Sequence, residues 1–100
     1  MPRRRVIVLE HFFDNLEAVL PSERGADGTP SITDFIEFDL MAVIDALAED
    51  YEGTTTEIAD LPGYRTLIMS GTTVDFLAVY VRLSAGDIVE VIDFEIDDGT

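Results

Sequence analysis

The sequence predicts an α+β domain in which a strand and two helices precede a three-stranded antiparallel meander, with the helices packed on one face of the sheet. Three observations carry that prediction. The chain has 100 residues, 47% of them hydrophobic, which is the size of one domain and enough to bury a core. Its apolar residues recur at helical spacing up to about residue 51, then at twofold spacing. Glycine, proline and Ser/Asp clusters fall between the periodic segments, as turn residues should.

Residues 6–9, Val-Ile-Val-Leu, form a short run that is apolar on both sides and reads as a central strand covered on both faces. Residues 11–20 follow, with Phe12, Leu16, Val19 and Leu20 at helical spacing and Pro21 as a stop. Residues 22–30 are loop chemistry. Ser31 then stands three residues before Asp34, a capping box with aspartate in place of Glu or Gln. A second helix is expected over 32–51, ended by Gly53.

At 100° per residue, Ile36, Leu40, Val43, Ile44 and Leu47 share one face of that helix, as a helix laid on a sheet requires. The opposite face holds Asp34, Asp45 and Glu49, with Glu37 at its border and Phe38 among the acids. Phe35 lies near them. The two phenylalanines read as packing against a loop or the first helix, or as anchors for a partner.

From residue 54 the period is twofold. Residues 54–58 are a strand start, 60–63 a turn, and 64–69 a strand. Residues 74–83 form the clearest strand, with Leu77, Val79, Val81 and Leu83 pointing one way and Phe76, Ala78, Tyr80 and Arg82 the other. A hairpin turn at 84–87 leads into a last strand over 88–96. There Ile88, Ile92, Phe94 and Ile96 share one face, interrupted by Glu90, and Val89, Val91, Asp93, Glu95 and Asp97 share the other. Residues 1–97 form the domain; residues 98–100 read as a short C-terminal tail.

Charge is the unusual feature. The chain has 21 acidic residues against six basic ones, all arginine, for a net charge of −15. Arg3, Arg4 and Arg5 are clustered at the start, so the rest of the chain carries 21 acids against three arginines. Such a surface repels phosphate backbones and is drawn to basic ones, which disfavours direct nucleic-acid binding. The arginine cluster reads as pairing with acids of its own surface or a partner's. A lysine-free, acid-rich composition is also what a high-salt cytoplasm or a GC-rich genome produces.

The absence of cysteine excludes a disulfide framework, a thiolate nucleophile and a zinc–thiolate site. The apolar run after the arginines is too short for a signal peptide, and nothing approaches the length of a membrane span. A soluble, cytoplasmic protein of the producing or infected bacterial cell is expected.

The order of elements, the opening Val6-Ile7-Val8-Leu9, and the run from Gly63-Tyr64-Arg65 through Tyr80-Val81-Arg82 to Ile88-Val89-Glu90-Val91-Ile92 resemble the RelE/ParE superfamily of bacterial toxins. The resemblance is one of pattern over nearly the whole chain. It implies the same fold, with Tyr64, Arg65, Tyr80 and Arg82 as the residues of interest, and a ribonuclease or gyrase poison held by an antitoxin. Members are usually basic and hold phosphate with cationic side chains. The ending Asp93-Phe94-Glu95-Ile96-Asp97-Asp98 departs from that pattern and would repel the phosphate a ribonuclease must hold. In size and charge the chain is similar to acidic phage inhibitors of bacterial defence, including anti-CRISPR and antirestriction proteins.

No catalytic residues are expected. His11 is the only histidine, so neither a Ser-His-Asp nor a Cys-His constellation can be built. No phosphate-binding glycine loop and no Ca²⁺-binding loop pattern is present, so no cofactor and no metal are expected. The favoured reading is a non-catalytic inhibitor or interaction protein that presents an acidic face to a basic, nucleic-acid-binding surface of a partner. Its candidate residues are Asp34, Glu37, Asp45 and Glu49 on the second helix and Asp93, Glu95 and Asp97 on the last strand. Alternate strand residues stand roughly 6.6 to 6.8 Å apart on one face, comparable in scale to successive phosphates, so the strand acids would imitate a nucleic-acid backbone. The alternatives are the toxin activity, or a degenerate toxin fold kept as a binding module in a salt-rich cytoplasm.

Overall fold

The computed structural model describes residues 3–26 and 28–97; the expected tail lies outside the described residues. Strand β1 (Val6–Val8) leads into helix α1 (Glu10–Val19). A continuous helical run follows, composed of the turn α2 (Ile32–Asp34), a π-helical segment (Phe35–Leu40) and helix α3 (Met41–Glu49). A further helical turn, α4 (Tyr51–Thr54), precedes strands β2 (Thr56–Glu57), β3 (Tyr64–Met69), β4 (Phe76–Ser84) and β5 (Ile88–Asp97). The strands form one sheet in the order β1-β5-β4-β3-β2, with β1 parallel to β5 and the other pairs antiparallel.

The mixed α+β class is as expected, but the sheet has five strands. The fifth is β2, a two-residue pairing of Thr56 with Thr66 and Glu57 with Arg65, at the place where the sequence suggested a strand start. β1 is not central. It pairs with β5 alone, so its apolar run marks an edge strand whose Val6 and Val8 pack against the core. A three-residue edge leaves little unpaired backbone to shield.

Register explains why β5 breaks its own alternation. Tyr80 pairs with Asp93 and Val81 with Val91, so Ile92 is the extra residue of a β-bulge. Val89 and Val91 therefore face the core before the bulge, and Phe94 and Ile96 after it. A strict period of two would put Val89 and Phe94 on opposite faces. The added residue restores both to the inner one.

The core cluster draws Leu67 and Met69 from β3, Leu77, Val79 and Val81 from β4, and these β5 residues, all on one face of the sheet. Onto that inner face pack Phe12, Leu16 and Leu20 from α1 and its end, and Phe35, Leu40, Val43, Leu47 and Tyr51 from the helical run and α4. Val19, expected in the apolar stripe of α1, is exposed. Phe12, Phe35 and Phe94 meet at the centre, with Phe12 and Phe94 ring centroids 4.7 Å apart.

The helical run starts as the sequence predicts. The Ser31 hydroxyl accepts the Asp34 N–H at 3.1 Å, and the Asp34 carboxylate accepts the Ser31 N–H at 3.0 Å. Its middle does not. The π-helical turn is wider than an α turn, and it turns Phe35 and Asp39 into the protein interior, where neither retains any exposed surface. Phe35 is thus a core residue, and Phe38, half exposed, is not. The run also ends earlier than expected: Asp50 leaves helical geometry, and its carboxylate accepts the Gly53 N–H to start α4.

Candidate functional site

The acids proposed from the sequence do not form one surface. The helical run lies over the inner face of the sheet, whereas Tyr80, Asp93 and Glu95 occupy outer-face positions of β4 and β5. The sheet separates the two groups.

Asp34 is committed to the fold. Besides capping the helix it accepts two bonds from the Arg24 guanidinium, at 2.8 and 3.0 Å, and its side chain is 15% exposed. The Arg24 bonds and the Ser31 N–H hold this carboxyl well below the usual carboxylate range. Asp45 and Glu49 both reach Arg3, at 3.0 and 3.5 Å, and all three side chains remain more than half exposed. Such surface pairs contribute little stability, yet they offset the charge a partner would read. Glu37 is exposed beside Phe38, with Met41 also exposed one turn on.

On β5 the situation differs. One Asp93 oxygen accepts the Asn15 amide at 2.6 Å and the Phe94 N–H at 2.8 Å, while the other lies 3.5 Å from His11 Nε2. No arginine reaches it among the described residues. Glu95 is exposed; burial first, then the Glu95 charge, pushes the Tyr80 phenol above its ordinary range. Asp97 ends the strand, and its side chain lies outside the described residues.

His11 and Asn15 belong to α1, so this helix lies beside the outer acids of β5. Its solvent side carries Glu10, Asp14 and Glu17 at i, i+4 and i+7, all exposed and opposite the Phe12 and Leu16 stripe. None of the three has an ion-pair partner among the described residues. Glu10, Asp14 and Glu17 on α1 and Asp93 and Glu95 on β5, two elements in contact with each other, are together termed the acidic ridge. The sequence reading missed the α1 members although their spacing was visible, because the longer second helix carried more acids.

The arginines are distributed in the opposite sense. Arg65 donates to the Thr55 hydroxyl at 2.6 Å and the Thr55 carbonyl at 2.9 Å and lies over the Tyr51 ring, on the inner side of β3. Arg82 donates to Glu90 at 2.7 Å and to the Tyr64 hydroxyl at 3.2 Å on the outer side of β4. Arg3 and Arg4 pair with acids of the same chain, Arg4 with Glu52 at 2.9 Å and Asp87 at 3.5 Å.

Two open clefts flank Tyr51. One, of about 630 Å³, is lined by Arg65, Tyr64, Glu57 and Leu83 among others; the second, of about 460 Å³, holds Arg3, Arg4, Arg5, Glu49, Glu52 and Asp87. Acids stand beside the arginines in both. Among the described residues no three His, Asp or Glu side chains gather as a metal site would need, and no helix is long and apolar enough to cross a membrane. Comparison with protein-family models, curated proteins and solved structures found no match for this chain.

Proposed function

We propose that this chain is a non-catalytic interaction protein that binds a basic, nucleic-acid-binding surface of a partner through its acidic ridge. The single observation supporting this reading is the uneven pairing of charge. Arg3, Arg4, Arg24, Arg65 and Arg82 each pair with acids away from the ridge, while Glu10, Asp14, Glu17 and Glu95 have no cationic partner among the described residues. A basic groove that gains from counterion release on a phosphate backbone gains in the same way from such a ridge. A phage inhibitor of a bacterial defence complex, acting in the cytoplasm of the infected cell, is the biological role this chemistry suits.

The toxin reading, with its RelE/ParE-like fold, draws less support. Holding a phosphate between Arg65 and Arg82 would require both on one side of the sheet, and they stand on opposite sides with their donors engaged.

The test is capture of partners from a bacterial lysate at low and moderate salt, with mass spectrometry of what elutes between the two. Recovery of a nucleic-acid-binding complex by the wild type, and its loss with Glu10→Gln, Asp14→Asn and Glu17→Gln combined, is the expected result. Recovery of a small antitoxin-like protein, gyrase or ribosomes, insensitive to those changes, would put the toxin reading in front.

A further inference from the structure

The inner face of the sheet is covered by helices, but the outer face contributes no residue to the core cluster. Towards one end of it Ile68, 62% exposed, and Phe76, 40% exposed, stand on neighbouring strands, because Ile68 pairs with Ala78 and Phe76 precedes Ala78 by two positions. Tyr80, half-buried, continues the row along β4, and Ile7 of β1 occupies the far edge of the same face. Among the described side chains, those of β4 and β5 that are charged on this face are Glu90, Asp93 and Glu95, against Arg82, which Glu90 neutralises. Large apolar side chains that reach solvent on a small domain mark a contact surface.

We infer that the outer face docks a cationic amphipathic helix of the partner, its apolar side on Ile68, Phe76 and Tyr80 and its Lys or Arg residues on Asp93 and Glu95. This rests on the proposed function and specifies its partner. Two features fix the occupant's chemistry. The apolar row adjoins the β5 acids, because Tyr80 pairs with Asp93 and Ala78 with Glu95 on the same face, so one ligand meets both. A second copy of this chain would bring another net charge of −15 against the same acids, which opposes self-association. A helix fits because the sheet's opposite face already packs one: α3 lays Val43 and Leu47 on the core as a partner helix would lay its apolar side here.

The experiment uses the full chain and two synthetic Leu/Lys peptides of about 18 residues, roughly five helical turns. One has its leucines on a single helical face; the other has the same composition scrambled. Binding is read by fluorescence anisotropy at physiological salt. The account expects the amphipathic peptide to bind about tenfold more tightly, and the difference to vanish in Ile68→Ser/Phe76→Ser. It also expects slowed hydrogen exchange at 66–69 and 76–80 of the wild-type chain when the peptide is bound, a readout that does not depend on the variant folding.

Equal binding of both peptides, lost on neutralising Glu10, Asp14 and Glu17, would overturn docking on the sheet and leave the acidic-ridge reading standing. Binding of neither would overturn both. A dimer of the unliganded chain in sedimentation velocity, abolished by Ile68→Ser/Phe76→Ser, would assign the face to a second copy instead.

Discussion

Asp39 and Thr73 are joined twice: the buried carboxylate accepts the Thr73 main-chain N–H at 3.0 Å and also the Thr73 hydroxyl. The other carboxylate oxygen accepts the Thr72 N–H. An acid brought inside by the π-helical turn is thereby satisfied by dipoles of the loop between β3 and β4, with no arginine among its partners. The same loop needs Gly71, where a Cβ would meet the Val74 carbonyl at 2.6 Å.

Replacing Asp39 by Ala strands two main-chain donors, each costing about 1–3 kcal/mol when buried. A loss on the order of 3 kcal/mol in urea denaturation is expected, a large fraction of a small domain's total. Thr73→Val, which keeps the N–H and removes the hydroxyl, should cost about 1 kcal/mol.

Deleting Ile92 tests the bulge. Without it, β5 alternates strictly, with Val91 inward, Asp93 outward and Phe94 inward, so every core residue keeps its face. The deletion should therefore retain cooperative unfolding, as should Ile92→Ala. Inserting one alanine between Asp93 and Phe94 would instead turn Phe94 out and Glu95 inward, and burying a carboxylate among Phe12 and Leu16 is far costlier than losing one apolar residue, so the insertion should abolish it.

These two features mark where the sequence was and was not legible. The twofold pattern located β3 and β4 and their inward residues, and the Ser31/Asp34 spacing located the start of the helical run, because both follow from local geometry. The π-helical turn was not legible: its cause is tertiary, the packing of Phe35 on Phe12 and Phe94 together with the loop donors that receive Asp39. In β5, Glu90 showed only as an interruption of the pattern, and pairing with β4 was needed to read it as a bulge. Of the acids, Asp34 was visible as a cap, but nothing local revealed that Arg24 would occupy it. Whether strand acids adjoin helix acids depends on which helix packs along β5, and that placed α1 rather than the second helix beside Asp93.

The Arg24–Asp34–Ser31 cluster predicts a pH dependence. Asp34 has a folded-state pKa depressed below its unfolded value, near 3.9. Its contribution is therefore fully present above that value and lost as pH falls through the lower, folded one. The stability difference between wild type and Asp34→Asn, read from urea midpoints, should be constant from pH 7 down to about pH 5 and shrink below about pH 4. Ser31→Ala should cost about 1 kcal/mol at neutral pH.

A chain of net charge −15 repels itself when folded. Its melting temperature should rise with added NaCl, and Glu10→Gln/Asp14→Asn/Glu17→Gln should melt higher than wild type at low salt. In about 1 M salt, where the screening length is about 3 Å, the two should converge.

The most direct test of the central claim is competition between this chain and nucleic acid for the captured partner, followed from low salt to about 1 M NaCl. The account predicts that duplex DNA or RNA displaces the chain, that binding weakens steeply with salt, and that neutralising the α1 acids flattens this dependence. A ternary complex with nucleic acid still bound, or association undiminished in molar salt, would contradict it.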